Sequence, residues 1–182
     1  MVRDELRVRE LIEQHKRRGE IVEKHLTVAS LNVLFLQKGE RDLQVATANY
    51  DLGLKEKSPV LQSAFFNWVI VIGYYSMFHS ARAALAKLSV YVSEDNVHEA
   101  VLNGMYHYYV YQGLIEAKIY EMLKNAKERR DKAVKLIEKL ELARSRRGNV
   151  NYEVAQAVKE TVAKDMLKDA KEFIEAMREL IR

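Results

Sequence analysis

The chain of 182 residues contains no cysteine, one proline, one tryptophan and seven glycines. Without cysteine there are neither disulfides nor thiolate metal sites, which excludes disulfide scaffolds and zinc ribbons. With so little proline and glycine there is scant material for the turns of an all-β domain. No two glycines lie close enough for a Walker or dinucleotide phosphate loop. A di-iron bundle needs two Glu-x-x-His pairs, whereas this sequence offers only Glu94 and His98 at a spacing of four and Asp95 and His98 at three. One such pair at a helix start reads as capping, so no metal or cofactor is expected. Ser-His-Asp chemistry has no nucleophile elbow here.

What fills the chain is Ala, Leu, Lys, Glu and Arg, residues that favour helix. About half the residues are apolar and 31% are charged, a globular balance. Length and composition suit a single domain, or one domain with an appendage. The start, Met1-Val2-Arg3-Asp4-Glu5, goes straight into charge, so no secretory signal is expected and the cytoplasm is the expected compartment. Pro59 to Phe78 carries no charge and is long enough to span a bilayer. It includes Gln62, Ser63, Asn67 and Ser76 and runs on into His79 and Arg82, as the buried central helix of a bundle does, so no membrane is expected.

Glycines and the proline divide the chain into helices. A charged helix is predicted from Arg3 to Arg18, stopped by Gly19. A second helical region runs from Glu20 to about Lys57, with a bend near Gly39. A third follows Ser58-Pro59 and runs from Val60 to Val90, with proline at the first turn where its missing N–H costs nothing. Ser93-Glu94-Asp95-Asn96 reads as the cap of a fourth helix reaching about Gln112. Leu114–Arg147 and Asn151–Arg182 are long and periodic. Ile115, Ile119, Met122 and Ala126 step by four, three and four, and the pattern resumes at Ala133, Ile137 and Leu140. Met166, Ala170, Phe173, Met177 and Leu180 repeat it in the last helix. These are apolar stripes of amphipathic helices packing antiparallel across Arg146–Asn149. The expected fold is an all-α up-down bundle over 27–182, with an N-terminal helical appendage over 1–26.

Charge is uneven. Ten basic residues lie between Lys124 and Arg147, among them Lys135, Lys139, Arg144, Arg146 and Arg147, and four acids share the span. The local net is +6 in a chain of +4, so the remainder is acidic overall. Such a stripe is either a solvated helix face or a polyphosphate-binding surface.

Three blocks carry a resemblance. Tyr74-Tyr75-Ser76-Met77-Phe78-His79-Ser80-Ala81-Arg82-Ala83-Ala84-Leu85 looks like the central helix of the compact prokaryotic branch of the HEPN family (higher eukaryotes and prokaryotes nucleotide-binding domain). His98-Glu99-Ala100-Val101, followed by Tyr106 to Gly113, resembles that family's histidine-led fourth helix. Ala143 to Glu153 resembles its Arg-to-Tyr loop before a last helix like Asp169 to Ile174. The resemblance covers roughly 27–182. It implies a bundle that is usually dimeric and is often coupled to a minimal nucleotidyltransferase as a toxin–antitoxin pair. Active members are metal-independent ribonucleases in which an arginine is followed, after four to six residues, by a histidine.

This sequence departs from that motif. All five histidines (His15, His25, His79, His98 and His107) precede Arg144. Counting from Arg147, Tyr152 stands where histidine would be; counting from Arg144, Val150 does, and Tyr152 matches a tyrosine that some family members carry two residues later. Either way the base is missing or is a phenol with a pKa near 10, a poor general base at neutral pH. Three readings follow. The first is a HEPN-like nucleotide- or RNA-associated homodimer that partners a nucleotidyltransferase. The second is a ribonuclease using Arg144, Arg147 and Tyr152, with His79 lent from the central helix. The third is a helical interaction module without a ligand. On the nucleic-acid reading the contacts are Arg144, Arg146, Arg147, Lys139, Lys135 and Arg82. Dimerisation is expected through the apolar third helix and the tyrosine-rich fourth.

Overall fold

A computed structural model describes residues 5–25, 27–93, 97–145 and 158–182, with the backbone alone over 136–145. Six helices make up nearly all of it: α1 (Glu5–Arg17), α2 (Asn32–Lys55), α3 (Pro59–Lys87), α4 (Val97–Met105), α5 (Ala117–Ser145) and α6 (Glu160–Ile181). A 3₁₀ turn (Val28–Leu31) leads into α2, and a π-helical turn (Tyr106–Val110) follows α4. The fold is an all-α bundle.

Helix α3 is its axis. Seventeen of its 29 residues are buried, and α2, α6, α5 and α4 all pack on it. It is also the one helix among the described residues long and apolar enough to cross a membrane, and half of its most apolar window is buried inside the bundle. Pro59 occupies the first turn behind an extended Ser58, whose backbone N–H donates to Glu56 at 2.8 Å. Helix α2 runs antiparallel to it, because Gly39 meets Ser76 and Ser80 while Gly53 meets Phe65 and Phe66. Helix α2 runs unbroken through Gly39. The glycine has a packing role there. A Cβ at Gly39 would sit 2.3 Å from Ser80 Oγ and 2.7 Å from the Ser76 carbonyl, so only glycine lets the two backbones approach this closely.

Helix α6 lies against α3 and antiparallel to α2. Arg178 Nη2 donates to Glu40 at 2.8 Å, and the Tyr50 hydroxyl donates to Glu160 at 3.1 Å. Its predicted stripe is the buried face, with Met166, Ala170, Phe173 and Met177 all fully inaccessible. Burying Phe173 alone is worth about 2–3 kcal/mol. Ile119, Ala126 and Ala133 of α5 are likewise buried, and Ile137 and Leu140 lie outside the described side chains. Arg129 Nη1 donates to Asp169 at 3.0 Å and ties α5 to α6.

Two boundaries differ from the sequence expectation. Glu20 to His25 is not helical: Gly19 takes a positive φ of 69°, and Ile21–Val22 (β1) pairs antiparallel with Tyr91–Val92 (β2). The β-branched pair suits a strand, and Ile21 is nearly fully buried there. The last helix begins at Glu160, since Lys159 is extended and the Val158 N–H donates to Ser63 Oγ at 3.1 Å. Glu94–Asn96 of the predicted cap and the Arg146–Asn149 turn lie outside the described residues.

The N-terminal segment shares the main core. Val8 and Ile12 of α1 belong to the same buried cluster as Tyr74, Met77 and Leu85 of α3. A buried polar clasp fixes α1 to α4: His15 Nδ1 pairs closely with the Glu20 carboxylate, and Asn103 Nδ2 donates to His15 Nε2 at 2.9 Å. The tyrosines after α4 are largely used within the chain. Tyr109 donates to the Ala84 carbonyl at 2.6 Å and Tyr108 to Glu23 at 2.6 Å, leaving Tyr111 exposed.

Candidate functional site on the outer edge of α3

The Tyr74–Arg82 segment of α3 faces two ways. Tyr74 and Phe78 turn toward α4, while Tyr75, His79 and Arg82 follow the helix edge between α2 and α4–α5. Two histidines flank this edge. His79 Nδ1 donates to Asp42 of α2 at 2.7 Å. Tyr74 is almost fully buried, and its hydroxyl lies 2.7 Å from His98 Nδ1 of α4. Burial raises the Tyr74 pKa above the ordinary phenol value, so it stays protonated and donates to that nitrogen. The rings of Tyr75 and Phe78 lie between the imidazoles: Tyr75 is 6.0 Å from His79 and 6.1 Å from His98, and Phe78 is 5.3 Å and 4.8 Å from them.

These hydrogen bonds set opposite tautomers. With Nδ1–H given to Asp42, neutral His79 has its lone pair on Nε2. With Nδ1 accepting from Tyr74, neutral His98 carries its proton on Nε2. Burial holds both imidazoles below the ordinary histidine pKa. For His79, Lys38 and Arg82 add to the lowering and Asp42 opposes it; for His98, Arg130 and Lys127 add, and Asp131 and Glu99 oppose. Near neutral pH, one edge therefore offers a base-type nitrogen and a donor-type nitrogen.

Two arginines complete the cluster. Arg130 of α5 donates through Nη1 to Asp131 at 2.9 Å and through Nη2 to the Tyr75 hydroxyl at 3.0 Å, and its guanidinium lies 5.5 Å from the Tyr75 ring centroid. Its Nε is buried and meets no hydrogen-bond acceptor among the described residues. Arg82 donates to the Val92 carbonyl at 3.2 Å and stacks 4.6 Å from the Phe35 ring centroid. Beside them Lys127 pairs with Glu99 at 3.1 Å and Asp131 at 3.3 Å.

Of the residues singled out in the sequence, His79 and Arg82 meet on this edge. Lys135 is exposed on α5. Arg144 lies in the last turn of α5, roughly 21 Å beyond Arg130 by the rise of one helix. The side chains of Lys139 and Arg144, and all of Arg146, Arg147 and Tyr152, lie outside the described residues. Much of the described basic stripe is ion-paired: Lys124 with Glu121, Lys127 with Glu99 and Asp131, Arg129 with Asp169, Arg130 with Asp131. Among the described residues, no group of three or more His, Asp or Glu could hold a metal ion.

Sequence reasoning missed the partners rather than the centre. Asp42 lies 37 residues from His79 and Arg130 lies 55 from Tyr75, separations that no local pattern reveals. His98 heads the second of the three resembling blocks, but its pairing with Tyr74 arises only when α4 folds onto α3. No protein-family model matches the chain, and no curated protein matches it in sequence. The site is thus defined by its own geometry: two neutral imidazoles of opposite tautomer, two arginines and a tyrosine on one edge of the central helix.

Proposed function

We propose that the chain is an RNA- or nucleotide-associated protein of HEPN type, with its ligand seated on the outer edge of α3, and that it works as the partner of a nucleotidyltransferase. The observation that carries this reading is the Arg130 guanidinium, whose Nε–H meets no acceptor among the described residues, held against the Tyr75 ring and close enough to His98 to lower its pKa. Guanidinium and imidazole N–H groups match phosphate oxygens, and the tyrosine offers a face for a base. The basic surplus toward Arg144, Arg146 and Arg147 would extend the contact along the backbone of a strand. On this reading Tyr152, five residues after Arg147 in the sequence, is a hydroxyl that would attack the α-phosphate of a nucleoside triphosphate held by the partner enzyme, taking the nucleotidyl group as pyrophosphate leaves.

The test is fluorescence anisotropy with labelled single-stranded RNA and with mononucleotides. Arg130→Gln should weaken binding about tenfold, the loss of roughly one charge-assisted hydrogen bond. Changing Arg144, Arg146 and Arg147 together to Ala should weaken RNA but not mononucleotides, and should flatten the salt dependence. Unchanged affinity in both variants, or no binding by the wild type, contradicts the reading. Co-expression with a nucleotidyltransferase should add a nucleotidyl mass to the wild type and none to Tyr152→Phe.

A second reading, a metal-independent endoribonuclease, is favoured by the Asp42–His79 pair. Its free Nε2 is placed to take the proton of an attacking 2′-hydroxyl. Cleavage that survives EDTA and is lost in His79→Asn supports it, and cleavage undiminished in that variant removes it.

A further inference from the structure

Three polar groups gather around the Tyr75 ring. The His79 ring stacks on it at 6.0 Å, the His98 ring meets it edge-on at 6.1 Å, and the Arg130 guanidinium lies 5.5 Å from its centre. Each has one hydrogen-bonding position that no described residue fills: Nε2 of His79, Nε2 of His98 and Nε–H of Arg130. The three differ in polarity. Asp42 takes the Nδ1–H of His79, and the opposite tautomer would set a lone pair against that carboxylate, so Nε2 is an acceptor. The Tyr74 hydroxyl occupies His98 Nδ1, so the His98 Nε2–H is a donor, as is the Arg130 Nε–H. The edge thus presents two donors and one acceptor.

We infer that the ligand of this edge ends in a phosphomonoester, bound with one proton held between a phosphate oxygen and His79 Nε2. The inference rests on the nucleotide-binding reading above and names the chemical class within it. A phosphomonoester has a second pKa of about 6, so near neutrality it exchanges a proton that a phosphodiester lacks. With that proton it donates to His79 Nε2 while its other oxygens accept from Arg130 and His98. A phosphodiester has acceptors alone, and one of its oxygens would face the His79 lone pair. The proton comes from solvent when the phosphate arrives as a dianion, and from the phosphate itself when it arrives as a monoanion. Its place is His79 rather than His98. A proton added at His98 Nδ1 would oppose the Tyr74 O–H, which has no second acceptor among the described residues. The surrounding charges fit this assignment. Lys38 of α2 and Arg82 of α3 act with burial to keep His79 neutral until an anion arrives, against Asp42 of α2, while Tyr75 covers one face of the ring. Around His98, Arg130 and Lys127 of α5 act in the same direction against Asp131 and Glu99, and Tyr74 and Tyr75 complete its surroundings. Internal linkages of RNA are diesters, so the edge takes the terminal phosphate of a strand or the phosphate of a mononucleotide.

The test is isothermal titration calorimetry of the full chain with adenosine 5′-monophosphate, with its 3′,5′-cyclic diester and with adenosine, at pH 7.5 and pH 6.5. The monoester should bind at least tenfold more tightly than the cyclic diester at the lower pH, and adenosine should bind least. Affinity for the monoester should rise about fivefold from pH 7.5 to pH 6.5, the linkage of nearly one proton taken up. Enthalpies measured in buffers of different ionisation enthalpy count that proton directly. His79→Leu, with helicity checked by circular dichroism, should lose both the preference and the pH dependence; the wild-type measurements decide the matter alone where that variant does not fold. A short RNA with a 5′- or 3′-phosphate, compared with its hydroxyl-ended form, separates a strand end from a free nucleotide as the bearer, and a preference in either series supports the inference. Equal affinity for monoester and diester, or monoester binding with no proton taken up, overturns the inference and leaves the nucleotide-binding reading standing. Absence of binding by every probe removes that reading and the inference with it.

Discussion

At the scale of single residues, burial of titratable groups makes stability depend on pH. His79, His98 and His107 all have folded-state pKa values held below the ordinary one, in each case chiefly by burial. The unfolded chain therefore binds protons more readily through the range just below about 6.5. Stability is full above that value and falls as pH drops toward the folded-state pKa values. Thermal unfolding should show a lower Tm at pH 5.5 than at pH 7.5, and His98→Asn should reduce the difference. A Tm that is flat or rising toward pH 5.5 contradicts the burial of these rings. Gly39 makes a second case. Replacing it with Ala improves helix propensity by about 1 kcal/mol, but the new methyl must displace the α3 backbone at Ser76, and overpacking costs typically about 1–3 kcal/mol. The expected outcome in urea denaturation is net destabilisation of about 1 kcal/mol, and a stabilised variant would show that the helices part easily.

At the scale of elements, the last helix and the N-terminal clasp behave differently. Phe173→Ala should cost about 3–5 kcal/mol, because it opens a cavity on the face that α6 lays on α3. Glu172→Ala, one residue along and exposed, should change stability by less than about 0.5 kcal/mol. His15→Ala removes the ring that joins the Glu20 carboxylate to Asn103, so hydrogen exchange should quicken in α1 while the centre of α3 keeps its protection. Equal loss of protection in α1 and α3 would show that α1 unfolds only with the whole bundle. These contrasts also mark what the sequence made legible. The apolar steps of α6, the glycine stop of α1 and the charge-free run of α3 are local patterns, and each became an element close to where it was expected. Glu20 to His25 was misread because helix propensity there is outweighed by the pairing of Ile21–Val22 with Tyr91–Val92, which is distant in the chain. At Gly39 the sequence shows a small residue within a helix but not the neighbouring helix that the gap admits. His79 and Arg82 stood out through the pattern around them, whereas Asp42, His98 and Arg130 acquire meaning only through tertiary contact.

At the scale of the whole molecule, one helix serves three purposes. The inner faces of α3 hold the core, and Ser76 and Ser80 lie where Gly39 lets α2 approach. Its outer edge carries His79 and Tyr75, held by Asp42 of α2 and Arg130 of α5, with His98 of α4 bonded to Tyr74 beside them. That edge is the centre of the functional account, and imidazole NMR addresses it most directly. Long-range ¹⁵N–¹H spectra of the neutral protein report the tautomer of each histidine, and titration with a short single-stranded RNA or a mononucleotide reports which rings sense the ligand. The account predicts His79 protonated on Nδ1, His98 protonated on Nε2, and resonances of both rings shifting with ligand while His15, with both nitrogens engaged in the buried clasp, stays still. A spectrum in which neither His79 nor His98 responds, or in which both carry the same tautomer, would contradict it.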